Sequence, residues 1–223
     1  MVATGGGLMA GQLKGKRVAF VAREAGSWAE YLVAGFEDCI PLRKDVRDED
    51  GAAMVVNPLT AYAMVDLVRR EGAKSFVMTA GASQLCKLIA SLARDKGLDP
   101  ISIVRRNEQI EPLKALGAAH VLNSEAEGFA ARLGKLLSRE KPRILLDAVT
   151  GQQAAQVFDA MGAGARWVIY GRLDLGVTPI VEPGQFIFMS KRVEGFWLVE
   201  WLSRRSLFAK LAAGDWIDQH QNL

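Results

Sequence analysis

Two rhythms of apolar and polar positions divide the chain. Up to residue 57 the pattern is loose. The glycines Gly5, Gly6 and Gly7 read as a plain turn, because no Lys-Ser/Thr pair follows and no helical pattern begins there. A short β-run comes next at 17–22, and residues 26–34 (GSWAEYLVA) alternate as a second strand would. From Pro58 the period changes. Residues 59–72 repeat apolar positions at helical spacing and stop at Gly72. Residues 75–80 (SFVMTA) are an apolar run without alternation, the pattern of a strand buried on both faces of a parallel sheet. A regular succession follows: helix 83–97, strand 100–105, helix 107–117, strand 120–123, helix 127–140, strand 143–149, helix 152–162, strand 165–171 and a last strand at 193–198. Pro112 belongs in the first turn of its helix or at a kink. The tail from 202 to 223 starts helical and becomes polar.

Strands alternating with helices at ordinary connection lengths predict an α/β fold, a doubly wound parallel sheet of Rossmann type with helices on both faces. The strands before residue 58 show no partners and cannot close a barrel alone, so the chain reads as beginning inside a β-domain. The expected organisation is a β-rich remnant at 1–57, a nucleotide-binding domain at 58–200 and a C-terminal segment at 201–223.

Composition narrows the function. The chain has 28 basic and 25 acidic residues, a net +3, which is too even a balance for a nucleic-acid binder. The pair Arg204-Arg205 is too short a cluster to change that. The two cysteines, Cys39 and Cys86, and the two histidines, His120 and His220, show no ligand spacing, so no metal is expected. Two thiols without a disulfide framework suit a reducing compartment. With no leader and no run of about 18 apolar residues, the expectation is a cytoplasmic protein that does not enter a membrane.

In a doubly wound sheet the ligand lies beyond the carboxyl ends of the strands. The first strand-to-helix turn, TAGASQLC (79–86), carries one glycine, Gly81, with Ala80, Ala82 and Ser83 as further small residues. It can cradle a pyrophosphate on helix N-terminal amides, or be an ordinary turn capped by Ser83. The second strand ends in Arg105-Arg106 where a carboxylate would hold the ribose of NAD. Guanidinium groups there suit a 2′-phosphate and so NADP, though two arginines at a strand end can also be plain surface. Asp147 to Gly151, and Tyr170-Gly171-Arg172, put small or polar groups at two further strand ends. Cys86 reads as a small packing residue rather than a reactive thiol, and the aromatic residues of 186–202 read as core.

Taken in order, VVNPLTAY (55–62), Arg105-Arg106, LKALGAAHVLNS (113–124), DAVTG (147–151), VIYG (168–171) and FIFMSKRVEGFWL (186–198) resemble the medium-chain dehydrogenase/reductase superfamily. The branch most similar is the zinc-free one of NADPH quinone reductases and trans-2-enoyl-thioester reductases. Residues 15–33 resemble the last strands of that family's GroES-like substrate domain, whose front part is then missing. The resemblance implies hydride transfer from NADPH to a quinone or an α,β-unsaturated carbonyl, a small-molecule substrate, no metal, and a homodimer formed through the last strand of the sheet. It implies that Asn57 lies near the nicotinamide, and that Ser83, Gln84, Leu85 and Cys86 form the pyrophosphate turn. Arg105, Arg106 and Asn107 would surround the 2′-phosphate, Tyr170 and Gly171 the nicotinamide ribose, and Phe196, Trp197 and Leu198 the nicotinamide pocket. Gln84 and Cys86 depart from the family's glycines, and Tyr31 and Tyr62 do not match its tyrosine proton donor, so no catalytic residue is assigned. A cofactor-binding module without turnover is the alternative. A short-chain dehydrogenase lacks its Tyr-x-x-x-Lys pair here, and a methyltransferase would want an acidic residue where Arg105 and Arg106 stand.

Overall fold

A computed structural model describes residues 1–20, 22, 26–176, 179 and 181–204. The chain divides into two compact units, one built on Met1–Leu59 and the other spanning Thr60–Arg205.

The first unit is mostly irregular. It holds a one-turn helix α1 (Leu8–Gly11), and two three-residue strands, β1 (Val18–Phe20) and β2 (Cys39–Pro41), paired antiparallel. Helix α2 (Asp48–Ala53) follows, with three acidic residues in its first turn, where the helix dipole favours them. The helix directly after Gly7 was not expected; it buries no side chain. The strand expected at 26–34 is not formed. Its alternation survives as exposed Trp28, Tyr31 and Val33, but no neighbouring backbone pairs with it among the described residues, and alternation without a ladder does not make a strand.

The second unit is the expected α/β sandwich. Helix α3 (Val56–Arg70) opens the series, with Pro58 in its first turn, where a missing N–H costs nothing. Its buried stripe of Ala61, Met64, Val65 and Val68 has the three-and-four spacing of one helical face. Then come β3 (Ser75–Met78), α4 (Gln84–Asp95), β4 (Asp99–Val104), α5 (Ile110–Ala115), β5 (His120–Asn123), α6 (Phe129–Glu140), β6 (Ile144–Asp147), α7 (Gln152–Ala160) and β7 (Arg166–Ile169). A single turn α8 (Gly184–Ile187), strand β8 (Arg192–Gly195) and α9 (Leu198–Ser203) follow. Residues 205–223, including most of the tail expected to become polar, lie outside the described residues.

The six strands pair in the order β5-β4-β3-β6-β7-β8, all parallel. Every residue of β3 and β6 is buried, which is why those runs carry no polar alternation. Trp167, Phe158, Leu145, Val77 and Ile101 fill the centre, with Leu133 and Leu137 from α6. Each of these returns from helix to strand holds one left-handed residue: Gly72, Gly97, Gly117, Lys141, Gly164 and, before β8, Ser190. The chain thereby reverses in few residues, at little cost where glycine is used. The aromatic residues expected in the core at 186–202 only edge it: Phe196 and Trp201 are half-buried, and the Phe186 ring lies 6.3 Å from that of core Phe158. Phe186, Phe188 and Trp197 are exposed, because they flank β8, which has one neighbour only. No helix among the described residues is long and apolar enough to cross a membrane.

Candidate functional site

The strand order reverses between β3 and β6, and the carboxyl ends of β4, β3, β6 and β7 form the rim beside that switch. The turn after β3 is built for close approach. Gly81 donates its N–H to Ile103 O at 2.9 Å, and a Cβ at this position would lie 2.8 Å from Ser102 Cβ and 3.1 Å from Ile103 O. Only glycine lets the turn sit so near β4. Ser83 is the N-cap of α4 and accepts the Cys86 N–H at 3.3 Å. The amides of Gln84 and Leu85 have no acceptor within the helix and lie at its positive end, the usual seat of a phosphate. Cys86 does not obstruct this surface. Its Sγ is buried, 3.4 Å from Thr79 O and 3.4 Å from Tyr170 Oη. The two departures from glycine thus have different fates: Gln84 points to solvent and Cys86 is absorbed into the packing.

One strand over, Arg105 and Arg106 are exposed at the end of β4. Arg106 pairs with Glu108 at 3.2 Å, while no ion pair engages Arg105 among the described residues. Asn107 accepts a bond from Asn123 Nδ2 at 2.8 Å, which ties the ends of β4 and β5 together. At the end of β7, Gly171 packs with its Cα against Ala148; a Cβ there would come 3.0 Å from Ala148 O. Burial, with Cys86 and Asp147 adding to it, holds the Tyr170 phenol far above its usual range. Phe196 continues the β7–β8 ladder by donating to Ile169 O at 2.8 Å, and Trp197 and Leu198 follow at the start of α9. Of the sequence-read residues, the structure brings Gly81, Ser83, Gln84, Leu85, Cys86, Arg105, Arg106, Asn107, Tyr170, Gly171, Phe196, Trp197 and Leu198 to the carboxyl ends of one sheet. Asn57 lies in the first turn of α3, a stretch that belongs to the first unit.

Sequence reasoning marked Asp147 only as a polar group at a strand end and missed the network it centres. Asp147 is fully buried, and its carboxylate accepts bonds from Thr79 Oγ1 at 2.5 Å, Trp167 Nε1 at 2.8 Å, Val149 N at 2.9 Å and Thr150 N at 3.0 Å. The signal for such a role is an acidic residue closing an apolar strand. No group of three or more His, Cys, Asp or Glu side chains is placed to hold a metal among the described residues.

Comparison with known proteins places this architecture. The family model described as zinc-binding dehydrogenase matches residues 85–213. The chain belongs to that family. A crystal structure from Mesorhizobium loti, of a protein assigned as an NADPH:quinone reductase, is 55% identical with a TM-score of 0.92, covering 99% of this chain and 64% of that one. The mitochondrial enoyl-[acyl-carrier-protein] reductase of Arabidopsis thaliana is 32% identical over 186 residues, 80% of this chain and 49% of the relative. That of Bos taurus is 29% identical over 182 residues, 79% and 48% respectively. The chain therefore spans about half the length of the curated relatives it matches. Quinone reductases and enoyl reductases are the branch of the medium-chain dehydrogenase/reductase superfamily that the sequence motifs resemble.

Proposed function

We propose that this chain holds NADPH for a metal-independent oxidoreductase that reduces a quinone or an α,β-unsaturated carbonyl. The observation that carries the reading is the pair Arg105 and Arg106 at the tip of β4, beside a turn that Gly81 presses against that same strand. The family match and the 55% identical quinone reductase support it. When bound, the cofactor supplies the hydride. The protein's share is binding and orientation. The α4 amides of Gln84 and Leu85 would take the pyrophosphate, Arg105, Arg106 and Asn107 the 2′-phosphate, Tyr170 and Gly171 the nicotinamide ribose, and Phe196, Trp197 and Leu198 the ring. Gly81 and Gly171 hold the turns after β3 and β7 close against Ser102–Ile103 and Ala148, where a Cβ would not fit, and so draw the strand ends of the rim together. Asn57 joins this set by the family's pattern alone.

Calorimetry with NADPH and NADH tests the reading. Arg105→Ala combined with Arg106→Ala should weaken NADPH far more than NADH, each lost charged hydrogen bond costing about 1.5–3 kcal/mol. Equal losses would show that the arginines do not read the phosphate. Absence of NADPH binding at roughly millimolar ligand, an affinity of only about 4 kcal/mol, would sink the function itself.

A second reading has one observation in its favour. Because the chain spans about half of its curated relatives, it can be a cofactor-binding module that turns nothing over. Binding of NADPH without oxidation across a panel of quinones and enones would favour that reading; turnover by this chain would exclude it. A homodimer through β8 accompanies either reading. That edge strand has Val193, Trp197 and Phe188 exposed around it, and an apolar edge is best covered. The two free thiols suit a reducing compartment such as the cytoplasm.

A further inference from the structure

Resting on the reading of the rim as a dinucleotide cleft, we propose that Asp147 is the positioning residue that sets the spacing of the three strand tips which NADPH spans. Its carboxylate has no contact with solvent. A buried charge is a poor way to add stability, since an apolar residue of like volume commonly does as well. Its value lies in geometry, and here the geometry is specific. Thr79, one residue past β3, donates its hydroxyl to Asp147 Oδ1 at 2.5 Å and accepts the Ala148 N–H at 3.0 Å. Trp167 of β7 donates its indole N–H to Oδ2 at 2.8 Å. One side chain therefore joins β3, β6 and β7, and it does so where the backbone ladders end.

The carboxylate also holds the turn that follows it. Thr150 has φ 65, a left-handed conformation unfavourable for a β-branched residue. Its N–H is fixed by Asp147 Oδ2 at 3.0 Å, and its hydroxyl reaches Gly171 O at 2.6 Å. The bond from Asp147 to Thr150 to Gly171 carries the constraint to the residue expected against the nicotinamide ribose. The β4 tip, with Arg105 and Arg106, lies outside this network.

That separation gives the test. Asp147→Asn keeps the shape, but each carboxylate oxygen accepts a backbone or indole N–H. Either orientation of the amide sets its NH2 against an N–H that can only donate. Two ligands would be titrated into the full chain: NADPH, and 2′,5′-ADP, which carries only the adenosine half. The loss of charge-assisted bonds should weaken NADPH by at least about tenfold. The 2′,5′-ADP affinity should stay within about threefold, as expected of a site outside the network. Thr79→Val should show the same selective loss, while Thr79→Ser, which retains the hydroxyl, should bind NADPH as the parent does. Unchanged NADPH affinity in folded Asp147→Asn overturns the proposal, and so does equal weakening of both ligands. Should Asp147→Asn fail to fold, the Thr79 pair decides by the same criterion: indistinguishable valine and serine variants overturn it. A parent chain that does not bind NADPH removes the underlying reading, and this is seen before any variant is compared.

Discussion

At Cys86 the side chain's surroundings settle its chemistry. Desolvation is the largest influence and pushes the thiol above its ordinary value, with the Asp147 charge adding to it and the Tyr170 hydroxyl opposing. A buried thiol with a raised pKa is a weak nucleophile. Iodoacetamide at mildly alkaline pH should leave Cys86 unmodified in the native chain and label it after denaturation, as peptide mass mapping would show; fast native labelling would contradict the packing described. The raised value has a thermodynamic sign. Below the ordinary thiol range both folded and unfolded chains keep this proton, and the contribution to stability is complete. As pH rises toward the folded value the unfolded chain releases its proton first, so the contribution is lost. Cys86→Ala should accordingly lose less stability than the parent between about pH 8 and pH 10, measured by urea denaturation. Arg105 and Arg106 could be read from the sequence because position along a strand is local information. Asp147 could be seen at a strand end but its role could not, since its partners Thr79 and Trp167 are distant in the chain and meet only once the sheet has formed.

Among the elements, the turn from β3 into α4 is packed hard against the neighbouring strand β4. Gly81→Ala would place a methyl 2.8 Å from Ser102 Cβ and close to backbone of β4, which cannot yield as a flexible side chain would. The expected cost is about 1–3 kcal/mol of stability, the range for forced overpacking, with weaker NADPH binding alongside. Thermal unfolding and calorimetry would measure the two, and a fully tolerated alanine would mean the turn is looser than described. The strands β3, β4 and β6 were legible because burial on both faces leaves a largely apolar run, and β5 and β7 because they fall between helices of clear period. Residues 26–34 misled because alternation reports only which side chains share a face; pairing depends on a neighbour that alternation does not encode. β8 shows a milder form of the same failure. Expected over 193–198, it occupies Arg192–Gly195, and the apolar run continues instead into α9. The single turns α1 and α8 are too short to display any helical period.

Across the whole molecule, the sheet has two unlike borders. β5 carries a buried Asn123 and ends against Asn107, whereas β8 is flanked by exposed apolar side chains. If β8 pairs with its counterpart in a second copy, Val193→Lys should set like charges facing each other across the joint and shift the chain to monomer in sedimentation velocity, with little change in NADPH affinity. A parent chain that sediments as a monomer would refute the dimer. Because all six strands run the same way, the two ends of the sheet have been given separate duties. The returns at Gly72, Gly97, Gly117, Lys141, Gly164 and Ser190 gather at one end, while Ala80 and Thr150, also left-handed, stand at the other. The turns at one end merely double the chain back, while those at the other are the ones a ligand would meet. Changes of loop length at the quiet end leave the gripping end its shape, so the fold can drift in one hemisphere while its chemistry stays fixed in the other.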